Sequence, residues 1–265
     1  MSPGPGAGAG AVSVTHHDDV GVVTLRRPPH NLLTEPVLRA VADALDGIGR
    51  VARAAVLCSE GRSFCAGANF RSDEAPDPSA SGGFEAQTRA FYVQAARVFD
   101  APIPVVAAVQ GAAIGAGFGL ALACDVRVAG TGGFFQANFV RLGIHPGFAL
   151  SSVLPAVVGP GRASELFLTG RRVDAQEALA IGLASQVVPA GDEQAAASAV
   201  ARTIAAAAPL AVAATRATLR RGLGGVVRAA MRHELAEQTA LAGTTDAIEG
   251  VRAVLAGETP RFVGR

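Results

Sequence analysis

The chain alternates short apolar runs with amphipathic stretches, and this alternation predicts its secondary structure. Continuous apolar runs are typical of buried strands, whereas apolar residues three and four positions apart predict helices. Strands are expected over 12–15, 20–25, 54–58, 105–109, 126–129, 134–135 and 187–188. Helices are expected over 35–46, 84–99, 117–123, 149–157, 161–168, 175–181, 193–221, 224–241 and 244–256. The order predicts an α/β fold whose strands are buried on both faces, followed by an all-helical region.

Three regions are predicted along the chain. Residues 1–11 are rich in glycine, proline and alanine, which predicts a disordered tail without the features of a signal peptide. Residues 12–192 form the predicted α/β core, and 193–265 the helical region. The alanine-rich stretch 195–217 is apolar enough to pack against another subunit, with packing inside the same chain as the alternative.

Composition excludes several classes of function. The net charge of +1 provides no general electrostatic attraction to nucleic acid or to an anionic membrane. No uninterrupted apolar run is long enough to predict a membrane span. All 23 basic residues are arginine, so Schiff-base chemistry on a lysine is excluded. The three cysteines lack metal-ligand spacing, which predicts reduced thiols, a cytoplasmic location and no metal site.

Two loops rich in glycine and alanine, 63–70 and 110–120, carry the strongest chemical signal. Each directly follows or interrupts an apolar, strand-like run. Small residues let a ligand approach the backbone closely, and a helix that begins near 115–117 directs free N–H groups at it. Two such amides converging on a thioester carbonyl would form an oxyanion hole. Tight packing of strands against helices is the alternative reason for these small residues.

Four sequence blocks, in order along the chain, carry a family resemblance. The first loop is similar to an F-x-A-G-x-D motif, and 104–125 to a P-x-I-A-A-x-x-G…G-G-G-x-E-L…C-D block. An L-T-G-R…A-x-E-A…G-L block lies in 168–183, and Glu249-Gly250-Val251 with Pro260-Arg261-Phe262 matches the ending. Together, over about 12–265, these blocks resemble the crotonase (enoyl-CoA hydratase/isomerase) superfamily.

The resemblance implies a fold, a ligand and an assembly. The expected fold is a crotonase-like ββα spiral core with a C-terminal helical trimerisation region. The expected partner is an acyl-CoA thioester, with coenzyme A as part of the substrate and no separate cofactor. The expected assembly is a homotrimer or a dimer of trimers.

The resemblance also assigns roles to single residues. The amides of Ala68 and Ala116 would form the oxyanion hole, and the backbone around Phe64 and Ala66 would meet the adenine end of coenzyme A. Further substrate contacts are expected at Asn69, Phe70, Gly115, Asn138, Phe139, Pro146, Gly147 and Phe262.

The acids that usually work beside such a hole are missing. Gly119 stands at the first glutamate of a hydratase, Phe139 at the second, and Gly147 where some isomerases place an acid. Asn69 also replaces the aspartate of the first loop. Hydration of an enoyl thioester needs a base for the water and an acid for the α-carbon, and neither glycine nor phenylalanine can transfer protons. The hypothesis is an acyl-CoA enzyme with atypical or weak hydratase activity; the alternative is a non-catalytic acyl-CoA-binding protein.

Other side chains are candidates to replace the missing acids or to hold the ligand. His145 is the best candidate base because histidine titrates near neutrality, with a solvent-facing turn residue as the alternative. Arg27 and His30, on the turn after the second strand, are candidates for the phosphates of coenzyme A, although exposure explains them equally well. Asp125 is interpreted as a structural partner of Arg127 or as a backbone cap. Tyr92 is a further candidate for proton transfer, with a packed helix aromatic as the alternative. The last candidates lie in or beside the segment 71–83, with solvated loop charges as the alternative: Asp73, Glu74, Asp77 and Glu85.

Two other functions fit the sequence less well. Residues 115–119 follow a strand as in a dinucleotide-binding fold, but the glycine spacing differs and no acid follows at the ribose position. Ser151 and Ser152 lack the G-x-S-x-G turn of a serine hydrolase.

Overall fold

A computed structural model describes residues 10–69 and 83–265. Its strands are β1 (Val12–His17), β2 (Val20–Leu25), β3 (Ala54–Ser59), β4 (Ser63–Cys65), β5 (Val105–Val109), β6 (Ala112–Ile114), β7 (Val126–Gly130), β8 (Phe134–Gln136), β9 (Arg172–Asp174) and β10 (Gln186–Val188). Its helices are α1 (Glu35–Ile48), α2 (Gly83–Phe99), α3 (Ala116–Ala123), α4 (Leu150–Val158), α5 (Pro160–Thr169), α6 (Ala175–Ala180), α7 (Glu193–Ala206), α8 (Pro209–Leu219), α9 (Leu223–Leu241) and α10 (Thr245–Ala256). A 3₁₀ helix, Phe139–Leu142, lies between β8 and α4.

The strands form two sheets. The larger has the order β1-β2-β3-β5-β7-β10, in which β1 is antiparallel to β2 and the other neighbours are parallel. The smaller has the order β4-β6-β8-β9, in which only the β8–β9 pair is antiparallel. This mixed α/β architecture confirms the predicted fold class, and the crossovers place helices on the faces of the parallel strands.

In the central strands β2, β3, β5 and β7 nearly every residue is buried, as the apolar runs predict, whereas most of the edge strand β1 is exposed. On one face Val23, Leu57 and Ala107 join the main core with α1, α2 and α3. On the other face Val22, Val56, Val106 and their neighbours form a second core, closed by Ala197, Ala201 and Ala205 of α7. Alternate strand residues therefore serve opposite cores.

The single helix predicted over 193–221 is wrong. The chain breaks at 207–208, and α7 and α8 meet at an angle of 111°. Pro209 explains the break, since proline disfavours helical geometry in the residue before it and donates no hydrogen bond. Helix α7 packs inside the chain, whereas α8 has no buried residue. Within the described ranges no single helix could span a membrane; α7 and α8 reach the required length and hydropathy only as this bent pair.

The other elements match their predicted bounds to within two residues, but four short ones were missed. These are β4, β6, β9 and the 3₁₀ helix, which are three or four residues long and too short to show a period. Of the predicted tail, 1–11, residues 1–9 lie outside the described part. The carbonyl of Ala11 accepts a hydrogen bond from the Arg26 amide at 2.7 Å.

Candidate functional site

The smaller sheet brings the two glycine loops together. Strand β4 opens the first loop and β6 lies in the second, and they pair in parallel with Ser63 opposite Ala112. The close approach requires glycine at position 117, because a methyl group there would lie 2.7 Å from the carbonyl carbon of Cys65. Two segments that are far apart in the chain therefore become neighbours across one strand pair.

The second loop ends in a helix start whose amides are free. Gly115 is the N-cap of α3, with φ +54° and no side-chain cap. The first bond of the helix runs from the Gly119 amide to the Gly115 carbonyl at 3.0 Å. Within 10–69 and 83–265 the Ala116 amide donates to no protein acceptor, so it is available to a ligand at the positive end of the helix.

The first loop presents a second free amide. A parallel bridge joins Ala68 to Leu33: the Leu33 amide donates to Gly67 O at 2.9 Å, and the Asn69 amide donates to Leu33 O at 2.7 Å. These two hydrogen bonds occupy the Gly67 carbonyl and the Asn69 amide, which flank the Ala68 amide. The Ala68 amide itself has no acceptor in the described part of the chain. Gly67 adopts φ +126°, a conformation open to glycine alone at little cost.

The turn after β2 supports the first loop through its backbone. The carbonyl of exposed His30 accepts from the Ala66 amide at 2.9 Å, and buried Asn31 donates to Ser63 O at 2.7 Å. The guanidinium of Arg27 donates to Leu32 O at 3.3 Å, inside its own turn. The contacts of Arg27 and His30 described here are structural, and a role with phosphates stays a prediction.

Asn138 and Phe139 lie beside the start of α3. A methyl group on Gly115 would lie 3.5 Å from Asn138 Oδ1 and 3.8 Å from Phe139 Cζ. Phe139 is buried, and Asn138 precedes the 3₁₀ helix as its N-cap. The structure thus brings four predicted site residues, Gly115, Ala116, Asn138 and Phe139, to one place.

Phe148 fills the space next to Gly119. A methyl group on Gly119 would lie 2.5 Å from Phe148 Cδ1, too close for any side chain. The Phe148 ring also packs edge-on against Phe91, with centroids 5.9 Å apart. Phe148 and Ala149 both have positive φ, 63° and 59°, which is uncommon outside glycine. The backbone here is bent so that an aromatic ring stands behind α3.

Tyr92 and Gln238 fill the space next to Gly147. A methyl group on Gly147 would lie 2.6 Å from Gln238 Nε2 and would also clash with the Tyr92 hydroxyl. Tyr92 donates to Gln238 Oε1 at 2.9 Å, and Gln238 donates to His145 O at 2.9 Å. Burial raises the pKa of Tyr92, so its hydroxyl stays protonated. These contacts make Tyr92 a packed, hydrogen-bonded residue of the core.

Glu234 is a buried acid that sequence reasoning missed. Its carboxylate is fully buried and accepts from the Ala149 amide at 2.7 Å, the Ser151 amide at 3.0 Å and the Ser151 hydroxyl at 2.6 Å. Burial raises the pKa of Glu234, against the hydrogen bonds, which lower it. The sequence does contain one indication that Glu234 is buried. Its spacing from Val227 and Met231 places an acid on the apolar face of α9. Glu234 holds the turn that carries Phe148.

His145 lies half-buried between this turn and α9. Its Nδ1 is 2.7 Å from the carbonyl of Pro146, so Nδ1 carries the proton and Nε2 is the basic atom of the neutral ring. The ring meets His233 edge-on, with centroids 5.6 Å apart. The hydrogen bonds described for His145 do not join it to Ala68 or Ala116, and its role as a base stays a prediction.

Asp125 has different partners from those expected. It accepts from Arg216 Nε at 3.0 Å and Arg220 Nη1 at 2.9 Å, and it caps the Val105 amide at 2.9 Å. Arg127 instead donates to the carbonyls of Leu183 and Cys124. The backbone cap is therefore confirmed, and the pair with Arg127 is wrong because backbone oxygens already take its guanidinium.

The remaining predicted residues lie at several places in the fold. Phe64 lies in β4 with its ring fully buried in the core, and the contact of its backbone with coenzyme A stays a prediction. Phe262 is 44% exposed on the tail after α10. Glu85 pairs with Arg89 on the surface of α2. Phe70, Asp73, Glu74 and Asp77 lie outside the described residues. Burial raises the pKa of Cys65 and of Cys124 to about 12, so these thiols are not nucleophiles.

Comparison with known proteins assigns the family. Residues 15–265 match the model of the enoyl-CoA hydratase/isomerase family. A probable enoyl-CoA hydratase of Rhodobacter capsulatus is 35% identical over 94% of this chain and 96% of its own length. The 2,3-dehydroadipyl-CoA hydratase of Escherichia coli is 34% identical over 95% of this chain and 98% of its own.

Solved structures agree with the sequence relatives. An enoyl-CoA hydratase of Mycobacterium avium subsp. paratuberculosis superimposes with a TM-score of 0.83 at 31% identity, over 96% of this chain and 98% of that one. An enoyl-CoA hydratase/isomerase of Pseudoalteromonas atlantica gives a TM-score of 0.82 at 29% identity, over 96% of this chain and all of the other. The predicted superfamily is confirmed: the chain belongs to the enoyl-CoA hydratase/isomerase family.

Proposed function

We propose that this protein binds an acyl-CoA thioester and holds its carbonyl oxygen with the amides of Ala68 and Ala116. The observation that carries the proposal is the pair of free amides on two loops joined by the β4–β6 pair. Two N–H donors aimed at one oxygen stabilise the negative charge that develops there when the α-carbon loses a proton. Losing one donor of this kind costs about 2.7–4 kcal/mol in the transition state.

The proposed chemistry differs from ordinary hydration because the usual acids are replaced. Gly119 and Gly147 have no room for a larger side chain, because neighbouring side chains already occupy the space beside them. Position 139 is a buried phenylalanine. The fully buried Glu234 already accepts three hydrogen bonds from the Phe148 turn. Isomerisation, thioester hydrolysis or decarboxylation through an enolate each use the hole without two glutamates.

His145 is the proposed base for this chemistry. Its neutral Nε2 can accept a proton, while the bond from Nδ1 to Pro146 O fixes the ring. Asn138, beside Gly115, offers a neutral hydrogen-bonding group to the thioester but cannot transfer protons. This assignment makes His145 the side chain whose loss affects turnover most.

The test is an assay of purified protein on crotonyl-CoA and a panel of other thioesters. We expect at most weak hydration of crotonyl-CoA, with turnover of another thioester that falls at least about tenfold in His145→Ala. His233→Ala is the matched control, since His233 is its ring neighbour and is 65% exposed. Robust hydration of crotonyl-CoA by the wild type would contradict the proposed loss of hydratase chemistry.

The alternative is a non-catalytic acyl-CoA-binding protein. It is favoured by the lack of room for an acidic side chain at Gly119 and Gly147, where neighbouring side chains occupy the space. It predicts acyl-CoA binding by calorimetry without turnover of any thioester. Absence of measurable affinity for acyl-CoA would overturn both functions.

Assembly and location complete the proposal. A homotrimer or a dimer of trimers is supported by α8, which buries no residue in its own chain and exposes Leu210 and Leu219. A cytoplasmic location is supported by three free cysteines, all buried.

A further inference from the structure

The first turn of α3 lies between two neighbours that approach it from opposite sides. Gly117 packs against the first loop, where an added methyl group would lie 2.7 Å from the carbonyl carbon of Cys65. Gly119 packs against Phe148, where an added methyl group would lie 2.5 Å from Cδ1 of the ring. Residues two apart on a helix point about 200° away from each other, so the two contacts fall on opposite faces. The start of α3 is therefore held between the first loop and the Phe148 ring.

Both contacts involve the backbone of α3, because neither glycine has a side chain. A closely packed interior transmits displacement, so a shift of the Phe148 ring would move the helix backbone itself. Ala116 is the first residue of this helix, and its N-cap, Gly115, provides no side-chain cap. The position of the Ala116 amide relative to the Ala68 amide therefore depends on how far Phe148 presses α3 towards the first loop.

The Phe148 ring is itself carried by a turn that depends on a buried acid. Phe148 and Ala149 have φ of 63° and 59°, in the left-handed region that residues with side chains adopt rarely. Such conformations persist only where the surrounding structure holds them. Glu234 of α9 supplies that hold: its carboxylate accepts from the Ala149 amide at 2.7 Å, the Ser151 amide at 3.0 Å and the Ser151 hydroxyl at 2.6 Å.

We propose that Phe148 sets the separation of the two oxyanion-hole amides, and that Glu234 is a positioning residue that holds Phe148 against α3. This inference rests on the proposed function, in which Ala68 and Ala116 bind a thioester carbonyl. Both side chains are buried, so they act through the backbone of α3. The effect falls on the hydrogen bonds to the carbonyl oxygen, because such bonds weaken steeply when distance or angle departs from the optimum.

The test measures the infrared carbonyl stretch of isotope-labelled butyryl-CoA bound to each variant. Phe148→Leu removes the ring and keeps an apolar side chain, whereas Glu234→Gln keeps the size of the side chain and leaves only one accepting oxygen. We expect a shift to lower frequency in the wild type and a smaller shift in both variants. Binding of coenzyme A alone, measured by calorimetry, should stay unchanged. Glu237→Gln makes the same replacement at a half-exposed site on α9 and should keep the wild-type shift.

A thermal unfolding curve for each variant separates positioning from a purely structural role. A lower unfolding temperature with the full wild-type shift in both variants would overturn the inference and leave the oxyanion hole intact. A shift reduced in only one variant would overturn the role of the residue whose variant keeps the wild-type shift. No shift in the wild type would overturn the proposed function as well. Should Glu234→Gln fail to fold, Ser151→Ala removes only the hydroxyl donor and should give an intermediate shift.

Discussion

At the scale of single residues, the candidate site is characterised by the side chains that pack beside positions 119, 139 and 147. Gly119 faces the Phe148 ring, Gly147 faces Tyr92 and Gln238, and Phe139 covers Gly115. The sequence shows that positions 119, 139 and 147 carry no acid. It could not show which side chains lie beside them, because Phe148 and Gln238 reach these positions from other elements, through a left-handed turn and a distant helix.

The first prediction concerns the fit between Gly119 and Phe148. Gly119→Ala should lower the free energy of unfolding by about 1–3 kcal/mol, because the added methyl group overlaps the buried ring. In a Phe148→Ala background the same change should cost much less, since the ring is gone. A double-mutant cycle by urea unfolding measures this coupling. Additive effects of the two changes would show that the ring does not exclude a side chain at 119.

The second prediction concerns the buried carboxyl of Glu234. Its raised pKa means that, above the ordinary value of 4.5, the folded state keeps a proton that the unfolded state has released. The free energy of unfolding contributed by Glu234 therefore falls as the pH rises from 4.5 through the folded pKa. The difference in unfolding free energy between wild type and Glu234→Gln should decrease over that window. Glu237→Gln, half-exposed on the same helix, is the control for replacing a carboxyl group of α9 by an amide.

A difference between wild type and Glu234→Gln that rises with pH would contradict the assignment. It would mean that the hydrogen bonds from Ala149 and Ser151 outweigh burial and lower the pKa.

At the scale of elements, the long strands and helices are predictable from the sequence, whereas the short strands at the candidate site are not. The core strands and amphipathic helices are long enough to show their period, as α1 does with Val37, Leu38, Val41 and Leu45. Strands β4 and β6 have three residues each, and they pair only because the loops around them are small. Helix α8 is not predicted as a separate element, because the four alanines before Pro209 continue the apolar pattern of α7.

The third prediction concerns how α8 is held. Arg216 and Arg220, with side chains 15% and 17% exposed, join it to Asp125 and to the carbonyls of Ala101 and Phe99. Asp125→Asn should loosen α8 and speed amide hydrogen exchange over 209–219, with a cost of about 1–3 kcal/mol. Asp100→Asn breaks a more exposed pair with Arg228 and should leave α8 unchanged. Equal exchange in both variants would show that other contacts hold α8.

At the scale of the whole molecule, the chain order of family motifs carried most of the information. The motifs imply the crotonase fold, and the match of one family model to residues 15–265 confirms the family. Strand pairing then joins Leu33 to Ala68 and β4 to β6, so the two glycine loops lie beside each other. What the motifs could not supply were contacts specific to this chain, such as Glu234 beneath the Phe148 turn.

The fourth prediction concerns assembly. Two cavities, of about 190 and 260 Å³, lie along α8. The same helix exposes Leu219, which is 81% accessible. If α8 lies in the subunit interface, Leu219→Glu should convert a trimer or hexamer to smaller species, as measured by light scattering after size exclusion. Leu168→Glu, at a leucine 77% exposed on α5, should not. A wild-type monomer would contradict the proposed assembly.

The central claim is that two backbone amides polarise a thioester carbonyl, and proline at position 116 tests it. Ala116 is the first residue of α3, where proline is tolerated, and proline lacks the N–H. Thr245→Pro makes the same change at the first residue of α10 and is the matched control.

The measurement is the infrared carbonyl stretch of isotope-labelled butyryl-CoA bound to each protein. We predict a shift to lower frequency in the wild type and in Thr245→Pro, and a clearly smaller shift in Ala116→Pro. An unshifted carbonyl in the wild type, or the same shift in all three proteins, would contradict the oxyanion hole.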